Sequence, residues 1–415
     1  MVGASPLVRR FLVARFTASM AWQVQAVATG WYIYALTGSA FDLGLIGLAQ
    51  FVPFASLVFI AGHAVDRHPR REIVCMALAG ESLCNLALAA LVLTGTGGAG
   101  AIFAAIAGLG AGRAFEQPAM QAWLPSLVPQ ALFPKAAARN SLTAQTAVIL
   151  GPALGGFLYL AGPAVPFLCA ALLQASALVA ARRLPAQSGA GGEPLSWRAM
   201  LQGVGFIWRT ETVRGAISLD LFCVLFGGAA ALLPIFARDI LSVGPAGLGL
   251  LRSAPAVGAL MTGLVLARRP PSRGVGHKLL ITVAIYGAAT LLFGLSRNLA
   301  LSLAALAAIG ASDMLSVVIR STLVQIVAPN AIRGRVTSVG SLFTGASNQL
   351  GQFESGVTAA WFGPVASVVL GGAATLVIVA WWAKRFPVLR RMDRLLPEEA
   401  VDRPRERVSG SPHII

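Results

Sequence analysis

Gly62-His-Ala-Val-Asp66-Arg67-His-Pro-Arg70-Arg71 joins two apolar runs, 42–64 and 71–93. Each run has the length of roughly 20 residues that a helix needs to cross a bilayer. The arginines sit at the junction, where basic residues mark the cytoplasmic side of a membrane protein. The local picture is a helical hairpin through a membrane with a basic turn.

The same pattern extends outward in both directions. Reading by length gives twelve candidate spans, roughly 11–35, 42–64, 71–93, 99–121, 138–160, 164–181, 213–237, 246–267, 277–296, 299–321, 336–361 and 364–386. Composition agrees: 56% of the residues are hydrophobic and 12% charged, against about 25% charged in soluble domains. A soluble core cannot take up that much apolar sequence, because its surface demands polar residues. The net charge of +16 would suit nucleic acid if it lay along one face. It lies between apolar segments instead, so no nucleic-acid partner is expected. Cys75, Cys84, Cys169 and Cys223 fall inside apolar runs without metal spacing and read as small buried hydrophobes.

Loop charge fixes an expected orientation. With both termini inside, the outward loops carry only Arg238 and Arg297. The inward segments carry Arg67/Arg70/Arg71, Lys135/Arg139, Arg182/Arg183, Arg268/Arg269/Arg273, Arg333/Arg335 and the tail from Lys384 to Arg407. That asymmetry is the positive-inside bias.

The expected organisation is an N-terminal six-helix bundle over 1–184, a cytoplasmic linker over 185–212, a C-terminal bundle over 213–388 and a disordered tail over 389–415. In the linker, Trp197, Met200, Leu201, Val204 and Trp208 recur at helical spacing opposite Arg198 and Gln202. That face suits either the membrane interface or an ordinary packed helix. The bundles repeat each other at an offset of 200: Gly110-Ala111 matches Gly310-Ala311, Pro129 matches Pro329, Gly151 matches Gly351 and Gly156 matches Gly356. Parallel six-helix repeats are a transporter architecture.

The opening loop resembles the G-x-x-x-D-R-x-x-R-R signature between the second and third helices of the major facilitator superfamily. The resemblance implies a twelve-helix all-α membrane transporter whose helices 1, 4, 7 and 10 line a central cavity. It also implies a cytoplasmic gate built from Gly62, Asp66, Arg67 and Arg70. Glu116 is placed to receive Arg67 or Arg70 in the outward-open state. The matching second-half loop keeps Gly263 and its arginines but lacks the Asp. Span 5 holds Gly151-Pro152-Ala-Leu-Gly155-Gly156, which resembles the G-P-x-x-G-G signature of the superfamily's proton-exchanging exporters, with Ala147 in place of the leading Gly. Further stretches, among them Leu232-Leu-Pro-Ile-Phe-Ala-Arg238 and Ser347-Asn-Gln-Leu-Gly-Gln-Phe-Glu-Ser-Gly356, resemble the branch that contains the enterobactin exporter and the macrolide-type drug–proton antiporters. The resemblance covers about residues 10–390.

Ionisable residues inside spans are costly, and so are functional candidates. Arg15 lies near the basic end of span 1 and reads as a snorkelling side chain. Arg252 and Glu354 each lie ~10 Å below the outer surface and are expected to pair. Nearer the cytoplasm, Arg113, Glu116, Asp220, Asp313 and Arg320 form a second layer. Across the two layers, Arg113, Arg252 and Arg320 make up the cavity charge network. Burial raises a carboxyl pKa and a nearby arginine lowers it, so an acid whose neighbours alternate can load and release a proton. Asp220 and Asp313 are the first candidates and Glu354 the third. Glu81, on a peripheral span, reads as structural. Gln23, Gln145, Asn348 and Gln352 are the substrate-lining candidates.

Together these point to proton-coupled export of a small amphiphilic molecule, a siderophore or a drug, across the bacterial cytoplasmic (inner) membrane by alternating access. A lipid flippase, a transporter-like sensor and an importer are the alternatives. No phosphate-binding G-x-x-x-x-G-K-[ST] loop occurs in the sequence. No enzyme activity, cofactor or metal is expected, and the working form is expected to be a monomer.

Overall fold

Caps and glycines stop the apolar runs. Ser5, Ser39 and Asn298 each accept a backbone N–H from three residues on, the N-cap bond that opens a helix. Gly38 and Gly95 end theirs at φ 62° and 65°, a left-handed conformation that L side chains rarely adopt.

The computed structural model describes residues 5–186, 197–269, 274–329 and 332–392. Among them run twelve long helical segments, in the order of the expected spans. They are α1 (Pro6–Thr37), α2 (Ala40–Arg67), α3 (Arg70–Thr94), α4 (Ala99–Ser126), α5 (Phe133–Leu160), α6 (Val165–Arg182), α7 (Glu211–Ile240), α8 (Gly244–Arg268), α9 (Val275–Leu295), α10 (Leu299–Val327), α11 (Arg333–Phe362) and α12 (Pro364–Arg385). Nine of these are long and apolar enough to cross a membrane. The other three, α1, α4 and α11, interrupt their apolar sequence with charges and amides. Helices α1, α5 and α11 start several residues before their apolar cores, at the basic end of the molecule.

One helix is broken. α7 stops at Gly227-Gly228, passes through a 3-10 turn at Ala229–Leu232 and ends in a π turn, Phe236–Ile240. A Cβ on Gly228 would lie 2.6 Å from Ser355 Oγ of α11, so the break lets two backbones approach. The Tyr286 hydroxyl donates to the Gly227 carbonyl at 3.3 Å, one of the groups that the break frees.

Within the first half, α1 packs on α5 and α6, α2 on α4, and α3 on α4 and α6. In the second half, α8 packs on α10, and α9 on α10 and α12. Two seams join the halves, α5 with α8 and α2 with α11. The offset-200 glycines make equivalent contacts. Gly151 faces α1 at Gln23, and Gly351 faces α7 at Val224 and Leu225. Gly156 lies against Gly249 of α8, and Gly356 against Gly44 of α2. Gly110 meets the backbone of Gln50, and Gly310 that of Pro255.

The cores show which end is closed. At the end far from the basic loops, a single cluster mixes both halves: Val27, Ile33, Leu43, Ile106, Leu232, Phe236, Leu248, Leu251 and Phe293. Towards the basic end the cores separate. Phe11, Leu78, Trp123 and Leu127 belong to the first half, and Leu219, Leu279, Ile319 and Trp382 to the second. The halves are therefore joined at the far end and parted at the basic end.

One expectation is corrected here. The segment after Pro387 was expected to be disordered. Residues Pro387–Arg391 instead form a short helix. Leu389 is 1% exposed, and Met392 O accepts the Gly276 N–H at 2.9 Å. Phe386 and Leu389 are apolar anchors among the charges. Residues 393–415 lie outside the described residues, as does the Gly- and Ser-rich stretch 187–196. The linker helix, Trp197–Arg209, divides its apolar face. Ile207 packs with Val336 and Val339 of α11, while Leu201 and Trp208 stay exposed. Gln202, on the expected polar face, accepts a hydrogen bond from Arg335.

Candidate transport site

Charged side chains of α1, α4, α7 and α10 lie between the shared far-end core and the basic end. These charges form two groups, one per half. In the first, Glu116 is fully buried, 2.6 Å from Arg113 and 3.6 Å from Arg15. Arg113 and Glu116 are three apart on α4, so they share a helix face. Arg15 and Trp22 are seven apart on α1, and the Arg113 guanidinium lies over the Trp22 ring at 4.8 Å.

This arrangement corrects one expectation, that of Arg15; the latch on Glu116 is an expectation for the outward-open state. Arg15 does not snorkel; it is the cross-helix partner of Glu116. Arg67 and Arg70 form no ion pair with Glu116, and Gly62 has nothing within 4 Å of where a Cβ would sit. Glu116 is ten residues from the basic end of α4, ~15 Å by helical rise, whereas Arg67 closes α2 at that end. In this conformation the loop signature and Glu116 are apart.

In the second half, Asp220 of α7 pairs with Arg320 of α10. Thr344 of α11 adds a hydroxyl donor at 3.4 Å. Asp313 lines the same small cavity as Asp220, with Thr282, Tyr286, Ser312 and Ser316. Asp313 is exposed and, among the described residues, forms no ion pair. By the repeat, Arg320 stands where the first half has Met120, an apolar core residue. The two halves thus place unlike chemistry at like positions.

The expected Arg252–Glu354 pair is not formed. Arg252 Nη1 donates to Ala26 O of α1 at 3.3 Å. Glu354 accepts from Ser355 at 3.5 Å. Helical rotation explains the miss. Gln352 of α11 faces the cavity that holds Arg252. Two residues on, at ~100° each, Glu354 points to the opposite side.

The remaining candidates scatter. Gln23 packs on Gly151. Gln145 Nε2 donates across the seam to Ala256 O at 3.1 Å. Asn348 is exposed and bonds its own helix at Thr344 O. Gln352 bonds Gln349 at 3.0 Å beside Arg252. Gly151, Gly155 and Gly156 sit at helix contacts with α1 and α8, and Pro152 O approaches Gly249 within 2.5 Å of where its Cβ would be. Glu81 is buried away from the parted space, where Gln174 donates to it at 2.8 Å and Asn85 donates in turn to Gln174.

Four residues were missed in the sequence. Gln50 lines the Arg252 cavity and Tyr286 the Asp313 cavity. Each is a polar side chain deep in an apolar run, which was a usable signal. Tyr34 donates to Asp239 across the halves; two residues so near the membrane boundary carried no such signal.

The sequence profile of the transmembrane secretion effector family matches residues 4–408. The chain belongs to that family of major facilitator transporters. It is therefore a multi-pass membrane transporter of small molecules, not an enzyme. It is 25% identical over 401 residues to the enterobactin exporter EntS of Shigella boydii serotype 18, covering 95% of each chain. The same figures hold for EntS of Escherichia coli O157:H7. Among solved structures, it is similar to a bacterial homolog of the human lysosomal transporter Spinster, inward-facing and occupied. The TM-score is 0.73 at 15% identity, over 94% of this chain and 99% of that one. A bacterial homologue of the iron transporter ferroportin, inward-facing, gives 0.70 at 16% identity, over 92% and 100%. These two likenesses speak for the fold.

Proposed function

We propose that the transporter exports a small amphiphilic solute from the bacterial cytoplasm in exchange for protons. The two six-helix bundles, 1–184 and 213–388, rock as bodies about the far-end seams, working as a monomer with both termini cytoplasmic. The positive-inside bias supports that orientation, and the parted basic end then makes this an inward-facing state. Similarity to the enterobactin exporter supports outward transport and makes a siderophore the first solute to try, with an amphiphilic drug second.

The observation that carries proton coupling is the Asp220–Arg320–Asp313 arrangement. Arg320 neutralises one acid while a second acid, on the same cavity, has no paired cation among the described residues. A change of access that moves Arg320 between them would alter which acid holds a proton. Glu354 is the third candidate.

Purified protein in liposomes with an imposed pH gradient tests the reading. Enterobactin, or an amphiphilic dye such as rhodamine 6G, should accumulate against its gradient only when a pH difference is present. Asp313→Asn should abolish that accumulation and leave downhill movement intact. Accumulation indifferent to pH in the unmodified protein would overturn proton coupling. Movement of labelled lipid in place of solute would turn the reading to a flippase.

A further inference from the structure

Arg252 lies on α8, three residues past Gly249 of the seam. Its side chain reaches into the opposite half, where one N–H bonds Ala26 O at 3.3 Å. A guanidinium has five N–H donors, so most of its capacity is left over. Among the described residues it forms no ion pair. It opens instead on a cavity of about 120 Å³ with a mainly polar lining, to which Trp22, Gln50, Gln349 and Gln352 contribute.

A cation inside a membrane protein with no acid beside it is costly, and such charges mark substrate or ion pathways. The surroundings show what would complete it. Gln352 Nε2 donates to Gln349 Oε1 at 3.0 Å, which leaves the Gln349 amide hydrogens free to donate. Gln50 supplies a further amide from α2. Donors outnumber acceptors, and the one full charge is positive. The cavity is too small for a whole amphiphile but accommodates an acidic headgroup. It is built by α1 and α2 of one half and α7, α8 and α11 of the other. An occupant touches both halves, which a ligand must do to bias their rocking.

We propose that Arg252 is the recognition residue for an anionic headgroup of the transported solute, a carboxylate or another two-oxygen acid. A guanidinium fork matches two acid oxygens side by side. The glutamine amides add donors, and the apolar remainder of the solute lies in the parted space below. The proposal rests on the transport reading for its purpose, but not on proton coupling or direction.

Binding to purified protein in detergent tests it, with no membrane and no gradient. The probes are 1-naphthoate, neutral 1-naphthamide and cationic 1-naphthylmethylammonium, followed by isothermal titration. The unmodified protein should bind naphthoate at least tenfold more tightly than the other two. Arg252→Gln should erase that preference, and Arg252→Lys should keep part of it, because charge remains without the fork. Should Arg252→Gln fail to fold, Gln352→Glu supplies an internal carboxylate beside Arg252 and should erase the preference in a folded protein. Equal binding of all three probes, no naphthoate binding at millimolar concentration, or a preference that survives both Arg252→Gln and Gln352→Glu would each overturn the proposal. A naphthoate preference alongside failure of pH-driven transport would overturn the proton-coupling reading alone.

Discussion

Asp220 is 6% exposed, and its carboxylate is met by Arg320 and Thr344. Removing one partner of such a pair leaves a buried charge without compensation, at a cost of about 3–5 kcal/mol. Arg320→Gln should therefore lower the thermal stability of the purified protein sharply. Asp220→Asn combined with Arg320→Gln should recover most of it, without recovering pH-driven transport. A stable single mutant would mean that water already carries the charge of Asp220. Glu81 offers a contrast. It holds Gln174, which holds Asn85, and no cation pairs with it among the described residues. Glu81→Gln should be tolerated, whereas Glu81→Ala leaves Gln174 unsatisfied and should cost about 1–3 kcal/mol. Transport rates per folded molecule should stay close to normal in both; a specific loss would move Glu81 into the mechanism. The identity of these buried polar residues was legible in the sequence, because each interrupts an apolar run. Their partners were not. By sequence, Arg67 or Arg70 matches Glu116 and Arg15 reads as snorkelling, because depth alone does not say which guanidinium meets the carboxylate. The choice depends on helix rotation, which places Arg15 on the face toward α4 and turns Glu354 away from Arg252.

The seams between helices depend on absent side chains. A Cβ at Gly156 would fall against Pro245 O and lie 3.1 Å from the Gly249 Cα. Both neighbours are backbone, so neither can swing aside. Gly156→Ala should push α5 from α8 and weaken the far-end closure. Leu43, 3% exposed in the core shared by both halves, reports on that closure. In a background free of native cysteines, Leu43→Cys should react with a membrane-impermeant maleimide from the far side several-fold faster once Gly156→Ala is present. Gly356→Ala should act likewise through Gly44 and α2. Unchanged reactivity would show that the seam adjusts without opening. The helices were legible because a bilayer imposes one length on every span, and the glycine repeat pointed to like contacts in each half. The break in α7 was not legible, since Gly227-Gly228 reads as helix-compatible in a membrane run. What selects the break is a neighbour: α11 approaches there, and Tyr286 is placed to bond the freed carbonyl. The docked Pro387–Arg391 helix escaped notice for a related reason, because two apolar anchors were hidden in a charged segment.

At the scale of the whole molecule, the balance between states is set by what each end gains on closing. The far end is closed by apolar packing and by polar contacts across the halves, among them an exposed clasp. The Tyr34 hydroxyl donates to Asp239 across the halves. Arg238 Nη1 approaches Tyr34 O at 3.4 Å, with its guanidinium 5.5 Å over the ring. Asp239 is 47% exposed, so water competes for the contact. A hydrogen bond to a charged group is then worth about 1 kcal/mol, below its buried value. That amount shifts the ratio of far-end-closed to far-end-open molecules about fivefold, since 1.4 kcal/mol is tenfold. Tyr34→Phe removes the hydroxyl and keeps the ring beneath Arg238, which isolates the clasp from the packing. Spin labels at Leu160→Cys and Phe362→Cys, exposed far-end positions on opposite halves, should report the shift. Double electron–electron resonance should show a larger long-distance population in Tyr34→Phe. Asp239→Asn should change it similarly, and the double mutant should add little to either, because both remove the same bond. Additive effects would mean that Tyr34 and Asp239 stabilise the closed end separately. An unchanged distance distribution would assign closure to the glycine seams and to the apolar core that both halves share, where the cost of opening would then reside.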